Sequence, residues 1–361
     1  MSALLFHHGI VHSPTDPYAT ALIVEAGTIA WLGGDDTAVA FRRDGMAERD
    51  LDGAVLAPLF VDPLTSGAYG AARRGIGLAT VLHGWTGDHS RPGARDEAGT
   101  ADEGVAVVGY RAHGSDAEGA EPAAGVWIAA DALAQPELDA AVVAAVQDGE
   151  QVYLVPSDLA DPEAPRAAQA AALAALRAAE KACGVPAIGR TRPRLTVAAP
   201  LTEEEEHFLA GMSASVTALV DAQGRTGAPV AGLLSGAVPV SLSLSGDENP
   251  WAAVRAALHH DDPVQRVSAR SAYTAATRTG LRALSDTPAA RVDLPARLAV
   301  SAPASFAVWA ADAVTVQAPD GRVAAWSTDT RAGTPLLPSL DAGEDLPRWE
   351  STWFGGHETG A

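Results

Sequence analysis

Short apolar runs separated by polar and glycine-containing segments fill the middle of the chain. Eight of these runs are candidate strands, at residues 54–61, 78–83, 104–109, 125–129, 151–155, 194–198, 214–219 and 238–244. Segments with helical spacing lie between several of them, at residues 136–147, 164–183, 250–259 and 267–283. Another helix is predicted to start at Thr202, because Glu205 three residues later completes a capping box. This alternation predicts an α/β fold with a (β/α)8 TIM-like barrel over residues 59–298.

Both ends of the chain have a different, strand-rich pattern. Residues 21–33 indicate a hairpin, ALIVE and TIAWLG around the turn Ala26-Gly27. Strand-like runs return at residues 306–310, 313–317 and 322–327, with the turn Asp320-Gly321 before the last. Residues 1–58 and 299–361 are therefore expected to form one small β-sandwich domain built from both termini.

The amino-acid composition and net charge limit the kinds of binding partner that can be expected. The chain has 361 residues, 47% of them apolar, and a formal net charge of −20. A strongly acidic surface repels phosphate groups, so neither nucleic acid nor an anionic membrane is an expected partner. No run approaches the length of a membrane span. The single cysteine, Cys183, cannot form an intramolecular disulfide and suits a reducing compartment, so the expected location is the cytoplasm.

Three stretches resemble one family of enzymes. They are DPYATALIVEAGTIAWLGGDD at residues 16–36, DLDGAVLAPLFVDPLTSG at residues 50–67 and SARSAYTAATRTG at residues 268–280. Together they resemble the amidohydrolase superfamily of metal-dependent hydrolases, in particular bacterial members similar to N-substituted formamide deformylase. The resemblance implies a barrel with a terminal β-domain, and a zinc or other divalent ion that activates water at the carboxyl ends of the strands.

The residues that would hold this metal are replaced. Strand one of the family ends in Asp-x-His-x-His, whereas this chain has Asp62-Pro63-Leu64-Thr65-Ser66. The positions that the resemblance assigns to ligands or to a bridging lysine are here Leu64, Ser66, Trp127, Leu154, Val197 and Ser245. Aliphatic and indole side chains cannot ligate a metal, and a neutral serine is a poor ligand. The expected cofactor is therefore none, and Leu64, Trp127, Leu154 and Val197 are expected to fill the vacated space.

Some polar residues remain as candidates for chemistry. His83, Asp88 and His89 follow the second predicted strand and could form an acid–base group. Asp158 matches the aspartate after strand five, and Asp247 lies two residues beyond Ser245. A solvated polar loop is the simpler interpretation of the first group. His7, His8 and His12 lie in the terminal β-segments and are expected to be surface imidazoles.

Three functions stay open at this point. The first is a catalytically inactive amidohydrolase-like protein that binds a small ligand at the barrel mouth. The second is an active hydrolase of non-peptide carbon–nitrogen bonds with an atypical site. The third is a structural subunit that forms a homodimer, or assembles with an active paralogue.

Overall fold

The structure of the chain, a computed structural model, describes residues 3–87, 102–115, 123–244, 249–317, 326–327 and 335–359. Within these ranges, eight parallel strands form one sheet in sequence order. They are β7 (Phe60–Thr65), β8 (Ile76–Leu82), β9 (Ala106–Ala112), β10 (Gly125–Ala129), β11 (Val152–Val155), β12 (Arg194–Val197), β13 (Ser215–Ala218) and β14 (Val240–Leu242). The first and last strands approach each other, so the sheet is a nearly closed barrel. The predicted TIM-like architecture is confirmed.

Helices surround this sheet. They are α2 (Gln135–Gln147), α3 (Ala164–Cys183), α4 (Val185–Thr191), α5 (Glu203–Gly211), α6 (Val230–Ser235), α7 (Trp251–Leu258), α8 (Ala269–Thr277) and α9 (Thr279–Ala283). The alanine-rich α3 buries a stripe of small residues and leucines, which lets it pack closely on the strands. Among the helices in the described part of the chain, none is both long and apolar enough to cross a bilayer.

Two smaller sheets are formed by the terminal segments, the first by N-terminal strands alone and the second by strands from both ends. The first is β4 (Thr28–Gly33), β3 (Ala21–Glu25), β1 (Leu4–His7) and β5 (Ala47–Asp50), in that order, with the short helix α1 (Asp35–Ala38) following β4. The second is β2 (Ile10–Val11), β6 (Val55–Ala57), β15 (Phe306–Ala310), β19 (Arg348–Phe354) and β20 (His357–Thr359). One apolar cluster, including Phe6, Leu22, Phe306 and Trp353, lies between them. Strands β16 (Val314–Gln317), β17 (Trp326–Ser327) and β18 (Leu337–Pro338) form a third sheet.

Two predicted elements are divided in the structure. The apolar run 54–61 becomes β6 and β7, separated at Pro58, where the missing N–H interrupts strand pairing. Strand β6 pairs with β15 in the terminal domain, whereas β7 pairs with β8 in the barrel. The predicted helix 267–283 is likewise interrupted at Arg278, between α8 and α9.

An aromatic cluster joins the terminal domain to the barrel. Trp309 of β15 packs edge-on against Phe60 of β7 and Trp251 of α7, with ring centroids 5.7 Å apart in both pairs. Trp251 in turn stacks on Tyr273 of α8 at 5.1 Å. Buried aromatic contacts of this kind contribute packing beyond their burial of area, so the terminal strands are held firmly against the barrel.

Candidate site at the barrel mouth

The inside of the barrel is crossed by polar side chains. Tyr153 of β11 donates a hydrogen bond to Pro63 O of β7 at 3.1 Å and shares another with Thr217 Oγ1 of β13 at 2.8 Å. Strands β7 and β11 are four apart in the sheet, so this contact is made across the interior. Arg194 of β12 donates to the same Pro63 O at 3.2 Å. Its second terminal nitrogen donates to the Tyr110 hydroxyl at 3.2 Å.

Arg194 is fully buried, and aromatic rings stabilise its charge. Its guanidinium carbon lies 4.1 Å from the Tyr153 ring centroid, a cation–π contact in a desolvated setting. The Tyr110 hydroxyl donates to Gln151 Oε1, and Gln151 Nε2 donates to Arg192 O at 2.7 Å and Ala283 O at 3.0 Å. Burial raises the pKa of the Tyr153 hydroxyl, so this group is a neutral hydrogen-bond donor. The network is a structural brace that holds opposite strands together.

Strand one presents no metal ligand at its two expected histidine positions. Leu64 is 0% exposed and belongs to the inner apolar cluster with Val61, Tyr153 and Leu219. Ser66 is half-buried, and its Oγ has no hydrogen-bond partner among the described residues. One neutral hydroxyl beside a buried leucine does not match the imidazole and carboxylate donors that a catalytic divalent ion requires.

The other predicted replacements separate into two groups. Trp127 packs against the inner cluster with Leu64, and its indole Nε1 donates to His83 O at 3.0 Å. Leu154 and Val197 instead belong to the outer cluster, which is formed with the helices. In β11 and β12 the inward positions are those of their neighbours, such as Tyr153 and Arg194, because side chains alternate along a strand. Leu64 and Trp127 therefore contact the inner cluster, whereas Leu154 and Val197 contact the helices.

A tryptophan covers part of the barrel mouth. Trp85 follows β8 and is 4% exposed, and its Nε1 donates to Pro156 O, just beyond β11, at 2.9 Å. A backbone bond from Leu159 N to Gly87 O, 2.8 Å, ties the same two loops together. Because β8 and β11 are three strands apart, these bonds run over the carboxyl ends of the strands between them.

Of the remaining candidate residues, the structure describes only His83 and Asp158. His83 is exposed at the end of β8, with its ring against Gly109 of β9. Asp158 is half-buried, and its Oδ1 accepts from Ala160 N at 2.7 Å, as in a capped turn. Asp88, His89, Ser245 and Asp247 lie outside the described residues.

A small cleft lies at the carboxyl ends of the last two barrel strands. Its cavity volume is about 20 Å³, and its walls include Val220, Asp221, Ser243, Asn249 and Ala252. A space of this size has room for about one water molecule, so it is much smaller than the usual ligand pocket of about 300–1,000 Å³. It is the position at which TIM barrels most often bind small ligands, outside the strand ends.

Comparison with solved structures now identifies the architecture. A triazine hydrolase variant matches with a TM-score of 0.59 at 15% identity, over 99% of this chain and 94% of that one. An adenosine deaminase from Xanthomonas campestris with bound zinc matches with a TM-score of 0.56 at 14% identity, over 99% of this chain and 92% of that one. The chain shares the fold of these triazine hydrolase and adenosine deaminase structures. Atrazine chlorohydrolase from Arthrobacter aurescens TC1, complexed with zinc, also shares this fold, with a TM-score of 0.57 at 14% identity, over 98% of this chain and 94% of that one. No family model and no curated protein matches the sequence.

One group of metal-ligating residues does come together, away from the barrel mouth. Among the described residues, His7, His8 and Asp50 place three ligand atoms within 4.8 Å of one another. His7 and His12 were expected at the surface, but they are 8% and 9% exposed. The strand pattern missed this because His7 and His12 are covered by distant parts of the chain, such as Leu336, whose carbonyl lies 3.0 Å from His12 Nδ1.

Proposed function

We propose that this amidohydrolase-fold protein is catalytically inactive, because its barrel holds no metal ion for the hydrolysis of carbon–nitrogen bonds. The observation that carries the proposal is Leu64, an aliphatic side chain completely enclosed at the first ligand position of strand one. A cation there would lose water and gain no ligand from this side chain, which is energetically unfavourable.

The cover over the mouth supports the same conclusion. Substrate needs access to the carboxyl ends of the strands, where TIM-barrel enzymes carry out their chemistry. Here Trp85 occupies part of that space and is fixed by its bond to Pro156 O. The cleft that remains beside β13 and β14 has room for about one water molecule and cannot admit such a substrate.

Hydrolysis assays test this proposal. The full chain is incubated with formamides, aryl amides, chlorotriazines and aminopurines, with zinc added and after treatment with a chelator. The expected result is no turnover above the buffer rate under either condition. Turnover that zinc restores after chelation would contradict the proposal. Turnover that is insensitive to chelation but is lost in His83→Ala would also contradict it, and would favour an atypical acid–base site.

A further inference from the structure

The terminal β-domain contains an arrangement of imidazoles that a regular strand would not produce. His7 ends β1, and His8 follows with φ of 56°, in the left-handed region. Successive side chains of a strand point to opposite faces, but the left-handed residue turns the second ring back. The two rings are therefore in edge-to-face contact, with centroids 4.4 Å apart.

The neighbouring strand supplies a carboxylate at the same level. Strand β5 pairs in parallel with β1, and Asp50 lies opposite His7 in that register. Asp50 Oδ1 accepts from Asp52 N at 3.0 Å, while Oδ2 lies 3.0 Å from His8 Nδ1. The carboxylate is thus oriented by its own turn, with its second oxygen directed at the imidazole.

Backbone bonds fix the two segments relative to each other. Leu51 N donates to His7 O at 2.9 Å, and Gly53 N donates to His8 O at 2.7 Å. The His8 N–H itself donates to Asp35 Oδ1 at 2.9 Å. A site held by such bonds is organised before any ligand arrives, which lowers the entropic cost of binding.

One ring nitrogen of His7 makes no hydrogen bond to any described residue. Its Nε2 lies 3.5 Å from Glu48 Oε2, whereas its Nδ1 is buried without a hydrogen-bond partner among the described residues. A carboxylate beside one ring nitrogen favours the tautomer that carries the proton on that nitrogen. The other nitrogen then has a lone pair that can bind a metal ion. Histidines that bind metals in proteins commonly have such a carboxylate partner.

We propose that His7, His8 and Asp50 form a binding site for one divalent transition-metal ion, such as zinc, on the terminal β-domain. Two imidazoles and one carboxylate suit borderline ions such as Zn²⁺, Co²⁺ and Ni²⁺, whereas Mg²⁺ and Ca²⁺ prefer oxygen ligands. The ion replaces the proton shared by His8 and Asp50. Tetrahedral bonds of about 2.0–2.2 Å require ligand atoms only about 3.3–3.6 Å apart. Because His8 and Asp50 are exposed, small side-chain movements reach that spacing from the 4.8 Å limit observed.

Metal titration of the full chain tests the site. Protein stripped with a chelator is titrated with Zn²⁺ by calorimetry and with Co²⁺ by visible absorption at neutral pH. We expect one ion per chain, with affinity at least tenfold weaker in His8→Ala and in Asp50→Ala. Glu48→Gln, which removes the carboxylate beside His7, should weaken binding by about tenfold. His357→Ala, an exposed histidine of the same domain, is the matched control and should bind like the original chain.

Three results would overturn the proposal. The first is no Zn²⁺ or Co²⁺ binding to the unmodified chain. The second is wild-type affinity in both His8→Ala and Asp50→Ala, which would place the ion elsewhere, including the barrel mouth. The third is equal loss in His357→Ala. Thermal melting of each variant without metal verifies that it is folded, and Zn²⁺ should raise the melting temperature of the unmodified chain but not of His8→Ala.

Discussion

At the scale of single residues, the barrel interior depends on a few buried polar groups. Arg194 begins an apolar strand, and its charge could be read from the sequence. Its partner could not, because Pro63 is 131 residues away and offers only a backbone oxygen. The same applies to Leu154 and Val197. Alignment to the family pattern placed them at ligand positions, and only the direction of each side chain in the sheet shows that they contact helices.

Tyr153→Phe tests the brace inside the barrel. The substitution removes the hydroxyl that connects β11 to β7 and β13, and keeps the ring over Arg194. We expect the free energy of unfolding to fall by about 1–2 kcal/mol, the usual effect of losing a buried hydrogen bond. Urea denaturation monitored by circular dichroism measures the change. Tyr18→Phe, at a residue that is 52% exposed, should change stability by less than about 0.5 kcal/mol. Equal effects of the two substitutions would refute a bracing role for Tyr153.

At the scale of elements, the sequence predicted those helix starts and turns that depend only on residues close together in the chain. The capping box that begins α5 is present as predicted, with Thr202 Oγ1 accepting from Glu205 N at 3.2 Å. The hairpin turn at Ala26-Gly27 is present too, with both residues at positive φ. The division of residues 54–61 into β6 and β7 was not predictable in this way. It depends on pairing with β15, whose residues lie about 250 positions later in the chain.

Thr202→Ala measures the contribution of the capping box. Loss of the hydroxyl leaves a backbone N–H of the first turn without its partner. The free energy of unfolding should therefore fall by about 1 kcal/mol. Thr202→Ser retains the hydroxyl and should remain close to the original stability. Chemical denaturation of the three proteins side by side gives the comparison. A Thr202→Ser variant as unstable as Thr202→Ala would show that the methyl group, rather than the cap, matters.

At the scale of the whole molecule, strands from both chain ends pack against one barrel. The resemblance to the superfamily predicted a composite terminal domain, and sheet β2–β6–β15–β19–β20 contains strands from both ends. How the domain attaches was not visible in the sequence. The contacts are made by side chains such as His12, Tyr273 and Trp309, which meet only after the chain has folded.

His12 makes this attachment sensitive to acid. Burial lowers its pKa to about 4, from an ordinary value of 6.5, and the bond to Leu336 O only partly opposes this. Above pH 6.5 the histidine is neutral in both folded and unfolded chains. Between pH 6.5 and 4 only the unfolded chain takes up the proton, so stability falls as the pH is lowered, by about 3 kcal/mol from this group. Below pH 4 His12 is protonated in both the folded and the unfolded chain, so this group no longer makes stability depend on pH.

A variant separates His12 from other acid-sensitive groups. His12→Phe keeps a ring against Tyr273 but cannot titrate. Unfolding free energies measured from pH 7 to pH 4 should decline less steeply in His12→Phe than in the original chain. The same slope in both proteins would contradict the assignment to His12.

We propose that the barrel mouth binds no catalytic metal ion. Crystals grown with added zinc, with diffraction recorded on both sides of the zinc absorption edge, test it most directly. We expect no anomalous peak at the carboxyl ends of β7, β11, β12 and β14, whatever is found at His7, His8 and Asp50. A strong peak among those strand ends, coordinated by side chains of the barrel loops, would contradict it.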